Sequence, residues 1–147
     1  MKREFSGLYA RAFCHSTEDL EKVKRAMTNA LGDVELKVTS TEGHHGNPIL
    51  LLVATVTDMD DIAEFFSRLG PDGRDTILET LGSRLDDSCN LFVRLDKQEA
   101  FREDMLLASG DDVISIRIHV NAFPARSEIA RGFIMQFLTG SLRIPRQ

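Results

Sequence analysis

The sequence predicts an α+β domain, a mainly antiparallel sheet with helices packed on one face, in the order β-α-β-β-α-α-β-(α)-β-α. Two observations carry that reading. Several segments alternate strictly between apolar and polar residues, as strands do when one face is buried and the other open. Only Ile49 to Val56 is apolar nearly throughout, whereas a doubly wound parallel sheet needs such runs in most of its strands. The 147 residues, without internal repeat or linker, form a single expected domain, 1–147.

Glu4 to His15 sets Leu8, Ala10, Ala12 and Cys14 against Tyr9, Arg11, Phe13 and His15, a period of two that predicts a strand. Ser16 is the expected N-cap of the next helix, with Asp19 three residues on; Leu20, Val23, Met27, Ala30 and Leu31 mark its buried face, and Gly32 stops it. Val34, Leu36 and Val38 alternate with polar residues in a second strand. It forms a hairpin with Ile49–Val56 across the tip Glu42-Gly43-His44-His45-Gly46-Asn47-Pro48. Asp58 or Asp60 caps a helix burying Met59, Ile62, Phe66 and Leu69, ended by Gly70-Pro71, and a further helix carries Ile77, Leu78, Leu81 and Leu85. Leu91, Val93 and Leu95 define a short inward-facing strand, residues 97 to 105 a short helix, and Ile114, Ile116, Ile118, Val120 and Ala122 the cleanest strand. A last helix presents Ala130, Phe133, Ile134, Phe137 and Leu138.

Composition narrows the class. Apolar residues make up 42% and charged residues 28%, as in an ordinary globular protein, and the longest apolar run is far too short to span a bilayer. No signal-peptide pattern follows Met1, and Cys14 and Cys89, inside strand-like segments, read as free buried thiols, so the expected location is the cytoplasm. Net charge is −5, which argues against a uniformly basic nucleic-acid binder. The charge is unevenly spread: residues 57–112 carry 15 acidic and 6 basic side chains, while residues 113–147 carry 5 arginines against Glu128. Such polarity suits a face that binds anions, and solvated charge explains it equally well.

No constellation reads as catalytic, and neither a cofactor nor a metal is expected. His44-His45 lack further ligands at suitable spacing, Asp86-Asp87 and Asp111-Asp112 read as turn residues, and Gly70-Pro71-Asp72-Gly73 is no phosphate-cradling loop. The informative set faces away from the predicted core. If the alternating strands share a sheet, Tyr9, Arg11, Phe13, Phe92, Arg94, Arg117, His119 and Asn121 stand together on its outer side. Rings can stack unpaired bases, guanidiniums can bridge phosphates, and amides can read base edges. The competing reading covers this face with a helix or a second subunit.

Three stretches carry a resemblance: Thr41-Glu42-Gly43-His44-His45-Gly46-Asn47-Pro48-Ile49, then Asn90-Leu91-Phe92-Val93-Arg94-Leu95-Asp96-Lys97-Gln98, then Phe123-Pro124-Ala125. With His15-Ser16-Thr17-Glu18-Asp19 ahead of them, they resemble an archaeal family described as RNA-binding proteins or exosome subunits, over roughly residues 5 to 126. The resemblance implies a fold related to the ribosomal protein that docks on a small RNA in the large subunit. It also implies frequent dimers and a role in RNA processing, degradation or ribosome assembly. No catalytic residue comes with it. It adds His44, Asn47, Lys97 and Gln98 to the candidate RNA contacts. Each has a structural reading too: Gly43 and Gly46 shape the hairpin tip, and Asp96 caps the helix that begins at Lys97. Two functions follow, an RNA-binding module and a homodimeric interaction scaffold without direct RNA contact.

Overall fold

A computed structural model describes residues 5–42, 48–122 and 124–139. The strands β1 (Phe5–Cys14), β2 (Lys37–Glu42), β3 (Pro48–Val56), β4 (Asn90–Asp96) and β5 (Val113–Val120) form one sheet in the spatial order β2-β3-β1-β5-β4. Every neighbouring pair is antiparallel. Alternation dictates which side each residue takes. Leu8, Ala10 and Ala12 of β1, Leu91, Val93 and Leu95 of β4, and Ile114, Ile116, Ile118 and Val120 of β5 are all buried on one side. Each fully buried aliphatic of this kind contributes about 1.5–3 kcal/mol relative to exposure.

Six helices cover that side: α1 (Leu20–Leu31), α2 (Met59–Arg68), α3 (Gly70–Glu79), α4 (Leu81–Arg84), α5 (Lys97–Phe101) and α6 (Ser127–Thr139). This is the expected α+β class, an antiparallel sheet with helices on one face. Phe5 on the first strand anchors α6 to the layer, its ring 5.4 Å from Phe133 and 5.0 Å from Phe137, with Phe66 of α2 at 5.5 Å. Side chains also tie helix ends to neighbours. Arg68 Nη1 donates to the Ala30 carbonyl, Arg74 Nη1 to the Phe66 carbonyl, and Asn29 Nδ2 to the Ala100 carbonyl, each tying a helix C-terminus to a neighbouring element.

Four local expectations are corrected. Asp19, not Ser16, caps α1: its carboxylate accepts from the Glu21 amide, while Ser16 lies in the turn closed by the Glu18 amide on the His15 carbonyl. β2 begins at Lys37, so Val34 and Leu36 pack half-buried against the core without joining the sheet. The helix expected through Leu85 breaks at Thr80 into α3 and α4, because the Thr80 hydroxyl turns back onto the Thr76 carbonyl and φ there is −114°. Cys89 stands just before β4 with φ +65° rather than within a strand. Of the two candidates Asp58 and Asp60, Asp58 caps α2, and Asp96 caps α5 as anticipated. Both cysteines are free and buried.

Candidate nucleic-acid interface

The uncovered side of the sheet gathers seven of the candidate residues. Tyr9 lies opposite Arg117, and Arg117 opposite Phe92, so ring, guanidinium and ring form one row across β1, β5 and β4. Strand spacing sets the two rings about 10 Å apart. A second row crosses all five strands as Lys37, Val53, Arg11, Ser115 and Arg94. Phe13 pairs with Leu51 one step further along, and His119 lies between Gly7 and Asn90 at the other end. Arg94 and Arg117 therefore share a surface, as the alternation of β4 and β5 predicted. Tyr9, Arg11, Phe92, Arg94, Ser115 and Arg117 line a shallow groove of about 590 Å³.

Electrostatics on this face are one-sided. The Arg117 guanidinium carbon sits 5.0 Å from the centre of the Tyr9 ring, a cation–π contact between the two side chains. Among the described residues no carboxylate lies within ion-pair distance of Arg11, Arg94 or Arg117, although Asp111 borders the groove at the Phe13 end. At the opposite end a relay fixes His119. Asn90 Nδ2 donates to Asp86, which turns the Asn90 oxygen toward His119 Nδ1 at 3.0 Å and leaves Nε2 of the neutral ring as an acceptor. Burial alone would raise the Asp86 carboxyl; hydrogen bonds from Asn90 and the Ser88 amide outweigh it and hold it below the usual range.

Lys97 belongs elsewhere. Its side chain is 3% exposed, and its ammonium meets the Phe13 carbonyl at 2.7 Å, Glu18 at 2.9 Å and Asp112 at 3.0 Å. That burial corrects its expected place among the phosphate contacts: the family motif Asp96-Lys97-Gln98 clamps β1 to the start of α5. Gln98 stays exposed, with its amide directed at Glu18 and Asp112. Burial would raise both carboxyls, but the His15 amide and Lys97 hold Glu18 below the usual range, and Lys97 and Gln98 do the same for Asp112. His44 and Asn47 lie outside the described residues. Asn121 follows β5 and is exposed beyond the last paired residue.

Arg84 went unnoticed in the sequence. It sits in the last turn of α4, its Nε donating to the Thr80 hydroxyl at 2.6 Å and its Nη1 to the Phe92 carbonyl at 3.4 Å, at the outer edge of β4. Nothing in the local sequence marks it, since both α4 and its approach to β4 are tertiary features. Among the described residues no group of three His, Cys, Asp or Glu side chains is placed to hold a metal ion, and no helix is long and apolar enough to cross a membrane. Burial, and then the Glu18 charge, push the Cys14 thiol up, away from nucleophile chemistry.

Comparison with known proteins gives a consistent picture. A family model described as RNA binding matches residues 8–120. The chain is 32% identical to an RNA-binding protein of Pyrococcus abyssi, across 95% of this chain and 97% of that protein. Among solved structures, a DUF54 protein from Methanothermobacter thermautotrophicus superposes with a TM-score of 0.81 at 30% identity, covering 92% of this chain and 98% of its own. A further DUF54 structure, from Sulfolobus solfataricus, gives a TM-score of 0.71 at 27% identity, covering 91% of this chain and 98% of its own.

Proposed function

The chain belongs to the RNA-binding family, a family defined by binding rather than catalysis, and from that premise we propose that its open sheet face is where RNA is held. Unpaired bases stack on Tyr9 and Phe92, while Arg11, Arg94 and Arg117 receive the phosphates between them, with Phe13 and His119 at the two ends of the platform. The observation that carries this reading is the row Tyr9–Arg117–Phe92, rings alternating with a guanidinium that no carboxylate among the described residues neutralises. A flat face of this kind suits single-stranded segments, since a stacked duplex offers no free base faces. His44, Asn47 and Gln98 extend the contact at the hairpin tip and near the start of α5. The cellular role is that of a cytoplasmic accessory factor in RNA processing or degradation, linked to the exosome, or in ribosome assembly.

The decisive experiment is fluorescence anisotropy with a labelled single-stranded oligonucleotide at low salt. Tyr9→Ala with Phe92→Ala removes two stacking surfaces worth about 1–3 kcal/mol each, so affinity falls by at least roughly 30-fold for the pair. Wild-type binding weaker than micromolar on both structured and single-stranded RNA overturns the proposal.

A second reading draws on the other half of the same face. Phe13 is 38% exposed and pairs with the half-buried Leu51, and β2 beyond it lies at the sheet edge. An apolar border beside an open strand edge fits a homodimer in which the sheet is a scaffold and RNA is not held. Sedimentation at micromolar concentration separates the two: a dimer that Phe13→Ser dissociates, without RNA affinity in either form, supports the scaffold.

A further inference from the structure

β4 is an edge strand, and most of its outward hydrogen-bonding groups are sealed by the chain itself. The Asp86 amide donates to the Asn90 carbonyl, the Ala108 amide to the Arg94 carbonyl, and the Asp96 amide to the Leu106 carbonyl. Midway between these seals, at Phe92, the carbonyl is met by Arg84 Nη1 instead of by backbone. The Arg84 guanidinium is thereby held from two sides, by the Thr80 hydroxyl and the Phe92 carbonyl, and its Nη2 group meets no acceptor among the described residues. Arg94 lies two residues beyond Phe92 on the same strand, about 7 Å along it by backbone rise, and is exposed.

Among the described residues no carboxylate pairs with either guanidinium. Two like charges held at one strand edge without a counter-charge raise the local potential. Burial, followed by the charge of Arg94, lowers the pKa of Arg84, the direction expected of a cation short of an anion. With Nε on the Thr80 hydroxyl and Nη1 on the Phe92 carbonyl, Nη2 is the nitrogen left to donate to a phosphate oxygen.

We propose that Arg84 and Arg94 form a shared seat for one phosphodiester group of RNA at the β4 edge, the point where a strand crosses onto the Phe92–Arg117–Tyr9 row. The seat rests on the reading of the open face as the RNA-binding surface, and it assigns a contact on a helix outside that face. One preset phosphate next to Phe92 fixes the register of the first stacked base.

The test is a salt series with a labelled oligouridylate, measuring the slope of log affinity against log salt. Each phosphate contact to a single strand contributes about 0.7 to that slope. Arg84→Gln flattens the slope by about 0.7 and weakens binding several-fold, whereas Arg84→Lys keeps most of the slope and loses part of the affinity. Arg94→Gln, at an exposed position, flattens it by the same amount, and the double variant by one contact rather than two, because both arginines hold the same phosphate. Thermal melts confirm that each variant is folded; should Arg84→Gln melt early, Arg84→Lys with Arg94→Gln carries the comparison. A wild-type slope in Arg84→Gln, with Tyr9→Ala and Phe92→Ala still weakening binding, overturns the seat and leaves the face standing. Two additive slope changes overturn the sharing. Absence of wild-type binding overturns the face, and the seat with it.

Discussion

Lys97 is the residue whose role differs most from what its type suggests. A lysine in a helix-starting motif reads as an exposed cation, yet this one is 3% exposed with three oxygen partners, from Phe13, Glu18 and Asp112, two of them about 80 residues away in sequence. Burying an ammonium is tolerated only when such partners replace water. Lys97→Met keeps the aliphatic stem and removes the charge, taking the ammonium from the Phe13 carbonyl and from two carboxylates that keep only the weaker Gln98 and His15 donors. Glu18 and Asp112 remain partly wet, so the cost at neutral pH is about 2 kcal/mol, below the range for fully buried pairs. Its dependence on pH follows from the carboxyls. Both titrate lower in the folded chain than in the unfolded one, so their stabilisation is complete above about pH 5 and drains away as pH falls through their depressed values. Urea unfolding at pH 7 and pH 3 checks this: the gap between wild type and Lys97→Met narrows clearly at pH 3. An equal gap at both values means that the ammonium stabilises by packing alone. RNA affinity of the folded variant stays within about twofold, since the ammonium faces inward.

Among the elements, the strands were the most legible. Ile114, Ile116, Ile118 and Val120 alternate with Ser115, Arg117 and His119, and a period of two admits one placement of each set once a core exists. The same logic put Tyr9, Phe92, Arg94 and Arg117 on a common side before any pairing was known. What alternation could not supply was the partner. Val34 and Leu36 alternate as well as any strand residues but pair with nothing in the sheet, and Arg84 reaches Phe92 through a helix break at Thr80 that no propensity marks. Lys97 was misjudged for a related reason, its partners being distant in the chain. The two-sided architecture makes its own prediction about α6. Phe137 packs its ring 5.0 Å from Phe5 and 5.6 Å from Phe66, on the side of the sheet away from the groove. Phe137→Ala therefore loosens α6 at a cost of about 2–3 kcal/mol, at the low end for aromatic truncation because the ring is only half-buried. Hydrogen exchange speeds up across α6, while RNA affinity at a temperature well below the melt is unchanged. Coupled loss of both means that the helical layer takes part in binding.

The molecule as a whole carries a net charge of −5, so RNA must be drawn to a face and not to the chain at large. The acidic stretch 57–112 disfavours a polyanion, whereas Lys37, Arg11, Arg94, Arg117 and Arg84 gather positive charge at the open sheet face and its edge, which favours docking there. That arrangement sets a ceiling on the electrostatic contribution. With Arg84 and Arg94 sharing a phosphate, the face holds three or four phosphates in all. Counterion release then gives a slope of about −2 to −3 in log affinity against log salt for a single strand. Between 50 and 200 mM salt, binding should weaken roughly 20- to 50-fold, far less than for a basic protein that contacts many phosphates. The stacking contribution of Tyr9 and Phe92 is insensitive to salt, so affinity should level off at high ionic strength instead of vanishing. Anisotropy titrations at five or more salt concentrations read both quantities. Tyr9→Ala with Phe92→Ala lowers the high-salt plateau without altering the slope, and Arg11→Gln with Arg117→Gln flattens the slope with little effect on the plateau. A slope steeper than about −5 requires phosphate contacts well beyond this face, for example at the basic run Lys22, Lys24 and Arg25 of α1.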